Sequence, residues 1–348
     1  MERLMTRKAV PWRERTLSVL DAQRDESCIR QLTQACDRGS IFGRGSARTW
    51  QEAYEGSYLA LENQSSEGPG AESLRRAVKN SLSKELPLIS IREEMLLQRL
   101  IIFGGSFPVI DPDEYPAALS LVRRLWCTVR QVNQGTFMIS LHESLGGRIA
   151  SIMQTPEYHE RRQNLFTLSA TLHSLLYLSG FYFAQTMIGQ LMREHQDLFS
   201  EKEKLYLMRF LMVEFDYLWN GQRELVLLHP GLCCPEEVIS AMSGLSFQEP
   251  HFTHQMILDG MREMLQEERP AVDALRAELE GALQPEYSAE DTVNELKLLV
   301  KQGAGFEDLR AILADQMATA FHPGILAALR RLEAETVRWA GVSHGVLN

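Results

Sequence analysis

The chain has 348 residues, of which 45% are hydrophobic and 24% charged, with 46 acidic against 36 basic residues and a formal net charge of −10. These are globular proportions: they exclude a largely disordered chain, and the length allows two or three domains or one elongated helical assembly. The whole acidic excess lies in the last third, where Gly221–Asn348 carries 20 Asp and Glu against 10 Lys and Arg while the first 220 residues balance at 26 each, so this part repels phosphate backbones and suits a basic protein surface.

In chain order, Met1–Arg15 is locally basic but lacks the apolar stretch of a secretory signal and the acid-free character of a transit peptide, so cytoplasmic residence is expected. Leu17–Cys36 reads as a first helix, and Thr49 with Glu52 as the capping box of a second that runs to about Glu62. The small polar and breaker residues of Ser65–Gly70 form a linker. Helices follow at Ala71–Lys84 and Ile91–Ile102, and Asp111-Pro112 opens another expected to continue to Val132. Phe137–Met153 reads as helix, although Thr136–Leu141 alone also fits a short strand.

The core is expected from Asn164 to Trp219. Asn164–Met192 holds no Asp, Glu, Lys or Arg, and a second apolar run covers Leu205–Trp219. Spacings of three and four through Leu165, Leu168, Leu172, Leu175 and Leu176 predict two central helices with wide buried faces. The first run is long enough to cross a bilayer, but Asn164, Thr167, Ser169, Thr171, His173, Gln185 and Gln190 make it too polar, so no transmembrane segment is expected. Glu224–Leu228 suits helix or strand equally. The remainder divides into helices at Pro235–Met242, His251–Gln266, Pro270–Leu283, Asp291–Gln302, Phe306–Ala320 and Pro323–Trp339, with Ser288 and Asp291 as one start signal. The step Gly180–Ala184 is similar to a tetratricopeptide turn, but Ala184 is one residue out of register and nothing repeats it.

The expected fold is therefore all-α: a multi-helix bundle or irregular helical-repeat array of roughly a dozen helices with little or no strand. The expected domains are an N-terminal helical segment, 1–70, with its linker at 65–70, a central bundle at 71–244 and an acidic C-terminal bundle at 245–348.

Motifs that carry chemistry fail on spacing. Asp111-Pro112-Asp113-Glu114 sits at a helix start instead of stacking carboxylates along one face, and His142-Glu143 has Gly146 where a zinc protease needs its second histidine. His251 and His254, with His229 or Glu249, form the best metal candidate but lack a third ligand at diagnostic spacing. Gly39–Ser46 lacks the order and lysine of a phosphate loop, and Gly104-Gly105-Ser106 lacks a base to activate its hydroxyl. The five cysteines include no C-x-x-C pair; Cys233-Cys234 reads as packed thiols in a reduced compartment. Trp126, Trp219 and Trp339 are candidate interface anchors. No catalytic, cofactor or metal site is assigned. The function expected is a non-catalytic adaptor, regulator or assembly factor that meets a protein partner through its acidic C-terminal third, with no nucleic acid. The alternative is an enzyme or small-molecule binder with a pocket between the central helices using His173, Tyr182 and Glu214.

Overall fold

The computed structural model describes residues 18–36, 47–62, 70–194, 203–219, 224–232 and 252–339. The chain divides into two compact units: one holds 19–167 and 188–215, the other holds 1–18, 168–187 and 216–348.

In the first unit, helices α1 (Ser18–Cys36), α2 (Ala47–Glu55), α3 (Tyr58–Glu62), α4 (Ala71–Glu85) and α5 (Ile91–Ile102) lead into strand β1 (Ser106–Val109). A short 3-10 turn at Pro112–Glu114 then leads to α6 (Tyr115–Arg123), β2 (Cys127–Asn133), β3 (Thr136–Leu141) and α7 (Glu143–Met153). Helix α8 (Pro156–Ser179) begins in this unit and ends in the other; α10 (Lys204–Glu214) belongs to this one. The start of α5 is fixed by Ser90 and Glu93, which cap each other's backbone donors. α2 begins at Ala47, so Thr49 lies inside the helix instead of capping it.

The expectation of an all-α chain with little or no strand is overturned. Among the described residues, six strands form two three-stranded antiparallel sheets. The helix expected from Asp111 to Val132 stops at Arg123, because Leu125 takes a left-handed conformation (φ 62°) and closes a Schellman turn, Trp126 N–H bonding to Leu121 O and Leu125 N–H to Val122 O. Glycine normally fills that position; here burial of the leucine side chain offsets the backbone cost of roughly 1 kcal/mol. β2 and β3 then form a hairpin around Gln134-Gly135, with Gly135 at φ 76°. Phe137, Ile139 and Leu141 alternate inward from β3, the central strand. Pro108 lies on the edge strand β1, where its missing N–H costs no ladder bond and blunts the edge.

The second unit holds β4 (Phe181–Phe183), β5 (Asp216–Trp219) and β6 (Leu225–Leu228), ordered β4-β6-β5, and helices α11 (His254–Gly260), α12 (Arg269–Leu279), α13 (Ala289–Lys301), α14 (Phe306–Gln316) and α15 (Pro323–Glu335). The apolar run from Asn164 is thus interrupted by β4 before α9 (Ala184–Glu194), and the run from Leu205 is helical only to Glu214. Gly180 makes the first break. At φ 81° it ends α8, and a Cβ there would meet Trp339 Cε3 at 2.5 Å. The step that is similar to a tetratricopeptide turn is therefore strand β4. Leu225–Leu228, open to either reading in sequence, is the fully buried central strand.

Helices α12–α15 share a core of Val272, Leu275, Leu279, Val293, Leu296, Val300, Leu309, Leu313, Ile325, Leu329 and Leu332. Ser288 caps α13 as expected, accepting from Asp291 N–H at 3.0 Å. Helix α15 ends at Glu335, and Thr336 turns the chain into extended conformation. Among the described residues no helix is long and apolar enough to cross a membrane.

Candidate functional site

The strongest concentration of ionisable groups in the second unit centres on Glu268, which is fully buried where α12 begins. Its Oε1 accepts from Lys301 Nζ at 2.6 Å and from Val337 N–H at 3.1 Å, and its Oε2 accepts from the Tyr177 hydroxyl at 3.1 Å. Lys301 also donates to Val337 O at 3.1 Å and stands 4.5 Å from the centre of the Tyr177 ring. The Lys301 carbonyl accepts the Trp339 N–H, and the indole Nε1 donates to Tyr177 O at 2.7 Å. Two residues beyond α15 are thus held by their backbone while the indole is fully buried over Gly180.

This is a clasp. The carboxylate accepts from three donors and the ammonium is paired, as groups withdrawn from water must be. Burial pushes the Tyr177 hydroxyl well above its ordinary value, and the Glu268 charge adds to the rise. Burial lowers Lys301, with Glu268 acting against it. Lys297, one turn earlier on α13 and also buried, donates to Glu263 O at 2.6 Å. Burial lowers its ammonium to about 8. Glu263 itself is left-handed (φ 51°) and closes the end of α11 by the same turn that Leu125 makes, through Met264 N–H to Asp259 O and Glu263 N–H to Gly260 O.

His229 lies against this clasp, its ring 5.4 Å from that of Trp339. Its Nδ1 accepts from Gly231 N–H at 2.9 Å, which places the proton of the neutral ring on Nε2. Burial, reinforced by Lys301, holds its pKa near 3. The unfolded chain takes up this proton near 6.5 and the folded chain only near 3, so stability should fall as pH drops through that interval. Denaturation of wild type and His229→Gln across pH 7 to 4 checks this: the variant should show the shallower decline, and parallel curves would contradict it.

In the first unit a second buried network surrounds Arg124. Its Nε donates to Glu93 Oε1 at 2.8 Å and its Nη1 to Glu85 Oε1, which also accepts from Arg209 Nη1 at 2.6 Å. Burial opposes the Arg124 charge but Glu93 and Glu85 overcome it, so its pKa is raised. Burial raises Glu85 and lowers Arg209 to about 10. The Tyr58 ring lies 4.5 Å from the Arg209 guanidinium, and its hydroxyl shares a 3.2 Å hydrogen bond with the Ser120 hydroxyl. Glu93 therefore serves two structures at once, the helix cap and the ion cluster.

The residues singled out from sequence take other places. His173 is exposed, Tyr182 is buried in β4, and Glu214, in the other unit, accepts from Ile91 N–H at 3.2 Å. Asp111 caps the turn before α6 through Asp113 N–H, and Glu114 pairs with Arg99. His142 stands at the start of α7, lowered to about 4 by burial, and Ser106 bonds Ser140 between β1 and β3. Trp126 and Trp339 are buried, while Trp219 is 55% exposed on β5. His254 is exposed on α11 and His229 is engaged with Gly231; His251, Glu249, Cys233, Cys234 and Gly39–Ser46 lie outside the described residues. Among the described residues no three potential ligands gather for a metal ion.

The exposed apolar residues were not anticipated. Ile102 is 75% and Phe103 63% exposed at the end of α5, with Met95 and Ile110 also exposed. Phe103 meets Phe107 of β1 at 5.4 Å between ring centres, and Arg99 lies 5.5 Å from the Phe107 ring. No protein-family model, curated protein or solved structure matches this chain.

Proposed function

We propose that the chain is a non-catalytic cytoplasmic interaction protein, an adaptor, regulator or assembly factor, whose acidic C-terminal third meets a basic protein surface. The observation that carries this reading is how charge is sorted by depth in the second unit. The two lysines of the last third, Lys297 and Lys301, are both buried, while acids such as Glu267, Glu280, Glu286, Glu290, Asp291 and Glu295 are exposed and outnumber the exposed arginines. Exposed arginines on α14 and α15 are further offset along their own helices, Arg310 by Glu307 and Arg331 by Glu335. What water and a partner meet is a predominantly negative surface, which steers basic partners and repels nucleic acid. The apolar residues around Phe103 support the same reading, since contacts of that kind anchor interfaces.

The test is a full-length variant with Glu267, Glu280, Glu286 and Glu290 all changed to Gln. It should keep its fold and lose most of the partner that wild type retains at low salt, with wild-type binding itself weakening as salt rises. Undiminished binding by the variant would remove the acidic surface as the contact.

A further inference from the structure

The first unit contains a cleft of ≈ 220 Å³ between α1, the α2–α3 turn and α6. At ~30 Å³ per water molecule it has room for roughly seven, the size of a free amino acid. Its lining is mixed, with the polar Gln31, Gln34, Glu55, Ser57 and Arg123 beside Leu119 and Gly56.

Arg123 and Glu55 share this small space, yet neither is the other's partner. The Arg123 guanidinium bonds the uncharged Gln31 Oε1, and among the described residues Glu55 accepts a long 3.4 Å bond from Gln51. Among the described residues, Arg123 has no carboxylate within ion-pair distance. Its surroundings explain why. Arg123, Arg124 and Arg209 all face the Tyr58 ring, at 6.0, 5.7 and 4.5 Å. The two buried carboxylates nearby, Glu85 and Glu93, are committed to Arg124 and Arg209. Arg123 is the third positive charge of the group, left on the cleft with a fork of unused N–H donors.

We propose that this cleft binds a small zwitterion of the α-amino-acid class, its carboxylate on Arg123 and its ammonium on Glu55. An arginine fork matches a carboxylate in shape and charge, and a carboxylate across the cleft takes an ammonium in the same way. The Gln34 carboxamide, which both donates and accepts, is placed on the same lining to meet a polar side chain. A ligand with one charge satisfies one side of the cleft and leaves the other opposed or unpaired. This assignment is independent of the partner reading above, since it concerns the other unit and different residues.

The experiment uses the full chain. Saturation-transfer NMR with pools of the twenty free α-amino acids identifies responders, and calorimetry then gives their affinities. A subset should bind saturably below about 10 mM. The N-acetylated and C-amidated forms of a responder, each lacking one charge, should bind at least ~tenfold more weakly, as expected for loss of one charge-assisted pair. Arg123→Gln and Glu55→Gln should each weaken the free amino acid to a similar degree, while Glu72→Gln on α4 leaves it unchanged. The proposal is overturned if no amino acid saturates, if capped forms bind as well as free ones, or if both cleft variants keep wild-type affinity. The capped-ligand comparison uses wild-type protein and so holds even if a variant folds poorly.

Discussion

Replacing Glu268 by Gln should destabilise the second unit by about 3–5 kcal/mol, the range for removing one partner of a buried ion pair. The amide still accepts from Val337 N–H, but it leaves the Lys301 ammonium buried with no counter-charge. Hydrogen exchange is the suitable readout, because two units need not unfold together and a single global stability is not defined for them. Amides of α12–α15 should exchange roughly two to three and a half powers of ten faster, at 1.4 kcal/mol for each tenfold, while those of β2 and β3 are unaffected. The pH dependence adds a check. In the variant Lys301 is left with burial alone, which lowers its pKa, so the unfolded chain holds more protons than the folded one as pH rises toward 10.5 and the deficit should shrink over that range. Adding Lys301→Met should recover much of the loss, since it removes the buried ammonium that Glu268→Gln leaves without a counter-charge.

Arg124→Ala should have an effect of similar size in the first unit, about 3–5 kcal/mol, because it leaves the Glu93 carboxylate fully buried and unpaired and Glu85 with Arg209 alone. Arg124 holds the Glu85 carboxyl down against burial, so without it Glu85 rises further above its ordinary value and the folded variant takes up a proton before the unfolded chain does. Its deficit relative to wild type should therefore narrow as pH falls from 7 toward 5. Protection of β2, β3 and α5 measures it. A loss below about 1 kcal/mol, or one that does not change with pH, would mean the cluster contributes little.

Helices with local start signals were legible in the sequence. Ile91–Ile102 has the boundaries its apolar spacing predicts, and the start of α13 follows from Ser288 and Asp291. The strands were not, because their identity depends on partners distant in the chain. Phe181–Phe183 pairs with Val226–Leu228, and the residues that continue α10's apolar spacing, Tyr217 and Leu218, pair with β6 instead. The β2–β3 hairpin carries Arg130, Gln131 and Asn133 on an open edge and turns on Gln134-Gly135, so only the alternation of Phe137, Ile139 and Leu141 marked it. The clasp was hidden for a different reason. Glu267 and Glu268 are neighbours in a charged stretch, yet one is exposed and the other fully buried. The available signal was on α13, where Lys297 and Lys301 stand four apart on a helix otherwise rich in core positions. Arg123 and Arg124 pose the same problem, one on a cleft and the other in the core.

Native mass spectrometry of the full-length protein captured intact from its own cells tests the interaction reading most directly. A stoichiometric second polypeptide of basic character should be present with wild type at low salt and lost with the four-glutamine variant. A bound metal or small molecule with no second chain, or a second chain that the variant retains in full, would contradict it.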